Sequence, residues 1–143
     1  MTTDRPTNCA AWVVKAEHDL LNIRNNLNAE AIPWDTVCFH AQQAAEKLLK
    51  AFLVYQGRVP PRTHDLSALL ANCMELHNEM ESLASDCRKL SAYAFQSRYP
   101  DALFEPTEDD GLEMVTAAER IRDFILRLLP APDLTSTPAR PKS

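Results

Sequence analysis

Glycine is almost absent: the chain has Gly 2 in 143 residues, against Pro 10. Left-handed turns and close backbone approaches depend on glycine. Two glycines are too few for a Gly-rich phosphate loop, or for a strand-rich fold built on tight I′ and II′ hairpins. A dinucleotide-binding sheet and a P-loop enzyme are thereby excluded. What remains must be built from elements that need no glycine, and helices are that element. An apolar share of 45% supplies a core, which excludes global disorder. A length of 143 residues fits one domain.

The apolar residues recur at spacings of three and four, the period of an α-helix. Trp12, Ala16, Leu20, Ile23 and Leu27 predict a first helix from about Ala10 to Leu27, closed by Asn25, Asn26, Asn28 and Pro33. Val37, Ala41, Ala44, Leu48, Phe52 and Tyr55 predict a second, from Trp34 to Gln56. Its alanines 41, 44, 45 and 51 permit close helix approach, and Gly57 is its stop. Leu66, Leu69, Leu70, Cys73 and Leu76 mark a third helix from Asp65 to His77, and Leu83, Cys87, Leu90 and Ala94 a fourth from Ser82 to Phe95. The stretch between them contains no Gly or Pro, so one bent helix is the alternative. Thr107 is an N-cap, and Glu108, Asp109 and Asp110 suit the positive end of a helix dipole. Met114, Ala118, Ile121, Ile125 and Leu128 form the last stripe, ended by Pro130. No strand alternation is present. The expected fold is all-α, an up-and-down bundle of four to five helices over residues 9–129, after a flexible N-terminus (1–8) and before a disordered, proline-rich tail (130–143).

No apolar run reaches the roughly 18 residues of a membrane helix. The N-terminus lacks a basic segment followed by a long apolar one, so a cytoplasmic location without membrane contact is expected. Cys9, Cys38, Cys73 and Cys87 form no C-x-x-C pair and read as reduced thiols. The histidines 18, 40, 64 and 77 are scattered. Cys73 and His77 are one turn apart, but two ligands do not complete a zinc site, so no metal or other cofactor is expected.

The second helix carries a polar stripe that packing does not require: His40, Gln43, Lys47 and Lys50, within about 80° of arc. Two ammoniums, an imidazole and an amide can bind phosphate oxygens and hydrogen-bond a base or ribose. The plain alternative is a solvated face in which Glu46 and Lys50 form an i,i+4 pair. The loop after this helix adds Arg58, Arg62 and His64, stiffened by Pro60 and Pro61. There Arg62 and His64 can clamp an anion and His64 can act as a base, or His64 and Asp65 simply start the next helix. A second loop holds Ser97-Arg98-Tyr99-Pro100-Asp101. Its Arg98 can grip phosphate and Tyr93 or Tyr99 can stack on a base, unless Arg98 pairs with Asp101 and Tyr99 packs on the bundle.

Taken together, Trp12-x-x-x-Ala16-x-x-Asp19-Leu20, then Cys38-Phe39-His40-Ala41-Gln42-Gln43-Ala44-Ala45-Glu46-Lys47, Leu49-Lys50-Ala51, Gly57, Pro61-Arg62-Thr63-His64-Asp65-Leu66 and Ser97-Arg98-Tyr99-Pro100-Asp101 resemble the HEPN family (higher eukaryotes and prokaryotes nucleotide-binding domain). The resemblance spans about residues 9 to 129. It implies an all-α homodimer with a positively lined groove. Many members are metal-independent RNases of toxin–antitoxin and defence systems. Others are non-catalytic partners of a small nucleotidyltransferase, which in some pairs adenylylates a tyrosine of the HEPN protein.

Catalytic members carry Arg, four to six residues, then His. After Arg98 those positions hold Leu103, Phe104 and Glu105 instead. Arg58 and His64 satisfy the spacing, but in the proline loop. Whether the chain is an enzyme therefore stays open. The leading expectation is a prokaryotic homodimer that binds a nucleotide or RNA through His40, Gln43, Lys47, Lys50, Arg62, His64, Arg98 and Tyr99, beside a minimal nucleotidyltransferase. One alternative is an RNase toxin with His64 as base and Arg58 among the groups stabilising the phosphorane. Another is an accessory helical dimer without a ligand. The net charge of -5 does not oppose a phosphate ligand, because many acids gather elsewhere, at Glu75, Glu79, Glu81 and Asp86 and at Glu105, Glu108, Asp109 and Asp110.

Overall fold

The computed structural model describes residues 5–97 and 105–130, with side chains for 8–91 and 105–130. Five α-helices follow in order: α1 (Arg5–Leu27), α2 (Trp34–Tyr55), α3 (Leu66–Met74), α4 (Ala84–Ser97) and α5 (Glu108–Leu128). A short 3-10 helix, Asn78–Leu83, joins α3 to α4. Among the described residues there is no strand. The bundle is thus the expected all-α one, with the third and fourth helices separate.

Each helix end has a local cause. Gly57, at φ 85°, follows the last turn of α2. The Gly57 amide donates to the Val54 carbonyl and the Arg58 amide to that of Leu53, both at 2.9 Å, which closes a Schellman stop. Asp65 caps α3 by accepting from the amides of Ser67 and Ala68. Thr107 and Asp110 form a reciprocal capping box at the start of α5. The last helix therefore begins where its sequence places it. By contrast, α1 starts at Arg5 and takes in residues expected to be flexible, with Pro6 in the first turn, where its missing N–H costs nothing.

Helix α2 is the centre of the bundle and packs against α1, α3, α4 and α5. Its alanines 41, 44, 45 and 51 are fully buried, so the neighbouring helices approach its backbone closely. Around it sit Ile23 of α1, Leu69 of α3, Leu90 of α4 and Ile121 and Ile125 of α5, all inaccessible to solvent or nearly so. The second glycine also has a task. Gly111 is buried on α5, and a Cβ there would overlap the Trp34 indole at the start of α2.

Candidate functional site

Between Val37 and Leu53 every residue of α2 is buried except Phe39, His40, Gln43 and Lys47. The central helix thus meets solvent through one window, about 12 Å long at 1.5 Å per residue. Three of its four residues belong to the polar stripe that the sequence singles out.

Two buried carboxylates organise what lies around this window. Asp19 on α1 is 7% exposed. Its Oδ1 lies 2.7 Å from His40 Nδ1, and its Oδ2 accepts from Lys47 Nζ at 2.7 Å. Glu46, 4% exposed, faces the proline loop. It receives Lys50 Nζ at 2.9 Å and His64 Nδ1 at 3.0 and 3.1 Å. An ionised carboxylate only accepts, so each imidazole donates from Nδ1 and keeps its Nε2 lone pair for another partner. The two carboxylates balance the two ammoniums.

Glutamine side chains complete the arrangement. Gln42 is 2% exposed; its amide donates to the His64 carbonyl at 3.1 Å and to Glu46 at 3.4 Å, and accepts from Gln43 at 2.9 Å. The loop carrying His64 is thereby bound to α2 through both backbone and side chain.

The expected stripe is divided by this packing. His40 and Lys47 share Asp19 and stay in the window. Lys50 is buried at 8% exposure, beneath the Trp12 ring at 5.6 Å and against Glu46. The i,i+4 pairing legible in the sequence is its observed state. His64 joins the cluster through Glu46 and remains well exposed. Arg62 is exposed on the same loop. Arg58 leans away toward Glu75 at 3.8 Å, a surface pair. The second-loop candidates Arg98 and Tyr99, and the side chain of Tyr93, lie outside the described residues. Among the described residues no three His, Cys, Asp or Glu side chains come together as a metal site.

Sequence reasoning did not assign roles to Asp19, Gln42 or Phe39, and gave Glu46 only its lysine. A signal existed for Asp19, which lies about 20° from Trp12 beside the apolar stripe of α1 and so requires a partner. Glu46 lies opposite the apolar stripe of α2, and only the packing of the proline loop buries it. Elsewhere, Cys73 and Cys87 are fully buried, and burial pushes both thiols up to about 12, with Asp86 adding to the effect at Cys87. Thiols held this way are poor nucleophiles near neutral pH.

A family model described as the HEPN domain matches residues 9–128. Among solved structures, the protein TT1696 from Thermus thermophilus is similar, at 29% identity and a TM-score of 0.74 over 85% of this chain and 98% of that one. No curated protein matches. Among the described residues no helix is long and apolar enough to cross a membrane.

Proposed function

The chain belongs to the HEPN domain family, and from that premise we propose that it acts as a homodimeric nucleotide- or RNA-binding module. It works beside a minimal nucleotidyltransferase in a prokaryotic toxin–antitoxin-like or defence system. The α2 window carries this reading. It presents His40, Gln43 and Lys47 together, with His64 and Arg62 on the adjoining loop. Buried Asp19 and Glu46 hold the imidazoles and Lys47 before any ligand arrives, so little side-chain entropy is lost on binding. Lys50 supports the site from below by neutralising Glu46. Arg98 and Tyr99 complete the proposed set. The exposed Val14 and Leu21, two turns apart on the outer side of α1, support a subunit contact.

Titration of the purified protein with a labelled oligoribonucleotide, at several salt concentrations, tests the reading. Saturable binding is expected, and Lys47→Ala should weaken it and lower the salt slope by about one. Failure to bind at low salt would refute it.

One observation favours a second reading, the metal-independent RNase. His64 is oriented by Glu46 through Nδ1 while most of its side chain stays exposed, an arrangement that suits a general base. Arg62, exposed on the same loop, would stabilise the phosphate in place of Arg58, which leans toward Glu75. Cleavage leaving a 2′,3′-cyclic phosphate and abolished by His64→Ala would support it; intact RNA excludes it.

A further inference from the structure

The fourth residue of the window is an aromatic ring that stands half exposed on the bundle surface. Phe39 is 46% exposed on a helix whose other large apolar residues between Val37 and Leu53 are buried. Leaving such a ring half in water forgoes burial that a core position would supply. It stands edge-on to His40 at a centroid distance of 5.3 Å and an interplanar angle of 79°. His40 is in turn fixed by Asp19. An exposed aromatic therefore stands at one end of the window and the Lys47 ammonium at the other, with His40 and Gln43 between them. The other exposed aromatic among the described residues, Tyr55, lies sixteen residues further along α2, about 24 Å away.

We propose that Phe39 is a stacking platform for an unpaired nucleobase, and that the attached phosphate runs toward His40 and Lys47. This rests on the reading of the window as a phosphate-binding surface and adds the part of the ligand that phosphate chemistry leaves undefined. The ligand is then a nucleotide or single-stranded RNA. Duplex RNA, whose bases are stacked on one another, is disfavoured. Stacking is tolerant of base identity because every base offers a π-face, so the subsite selects for an accessible base without reading its sequence.

The test compares a fluorescein-labelled ten-nucleotide oligoadenylate with an abasic ribose-phosphate oligomer of equal length, both titrated at low salt into the full chain. The parent protein should bind the base-bearing oligomer more tightly. Phe39→Ala should weaken that binding by about 5- to 100-fold, and leave the abasic oligomer unaffected. Phe39→Leu, which keeps apolar bulk but no π-face, should behave like the alanine variant. Phe39→Trp should retain binding and show quenched indole fluorescence. Circular dichroism and sedimentation accompany each variant. Equal affinity for the two oligomers, or unchanged binding in both Phe39→Ala and Phe39→Leu, overturns the stacking role while phosphate binding stands. A changed oligomeric state with unchanged binding also overturns it, placing Phe39 in a contact between copies. Binding of neither oligomer by the parent refutes the phosphate reading itself.

Discussion

Asp19 on α1 accepts a hydrogen bond from Lys47 on α2 at 2.7 Å, across 28 residues of chain. The carboxylate is nearly inaccessible and the ammonium keeps about a quarter of its exposure. Removing the lysine therefore leaves a buried acid supported by His40 only. We expect Lys47→Ala to destabilise the fold by about 1–3 kcal/mol in urea denaturation. The double variant Asp19→Asn, Lys47→Met should recover part of the loss, because it leaves no unpaired charge.

Gly111→Ala tests the contact between α5 and α2. Helix propensity alone would favour alanine by about 1 kcal/mol. The added Cβ would overlap the Trp34 ring, and overpacking of this kind costs about 1–3 kcal/mol. A net loss of thermal stability is expected, by a few degrees. Trp34→Leu in the same background should reverse it.

The buried thiols predict an alkaline limit to stability. Cys73 and Cys87 are pushed from the ordinary thiol value of 9.0 up to about 12 in the folded chain. The unfolded chain therefore loses these protons at lower pH than the folded one. The stability they contribute is complete below pH 9 and is lost progressively as the pH rises toward 12. Thermal unfolding at mildly and then strongly alkaline pH should show the decline, reduced in a Cys73→Ala, Cys87→Ala variant. Near neutral pH both thiols should resist alkylation until the protein unfolds.

Asp86 on α4 binds Arg120 on α5 through two contacts, Nη2 to Oδ1 at 2.7 Å and Nε to Oδ2 at 3.0 Å. The Asp86 carboxylate holds the guanidinium above its ordinary value. Arg120→Lys keeps the charge but loses the fork and should cost about 1 kcal/mol. Arg120→Ala leaves the buried Asp86 without its partner and should cost more, about 2–3 kcal/mol. Denaturant melts of the two variants rank them.

Much of this protein follows from residue spacing. The apolar stripes, the Gly57 stop, the Asp65 start and the Thr107 cap depend on residues within one or two turns of each other, so the sequence determines them alone. The Glu46–Lys50 pair is legible for the same reason. The site is different because its parts meet across the bundle. Phe39 and Lys50 lie within about 20° of each other around α2, yet the aromatic is exposed and the lysine is buried. Angular position is a property of the helix. Exposure depends on which neighbours lie over each turn, and here Trp12 of α1 covers Lys50. Periodicity thus determined which residues share a face, and the packing of α1 and the proline loop onto α2 decided which of them the solvent reaches.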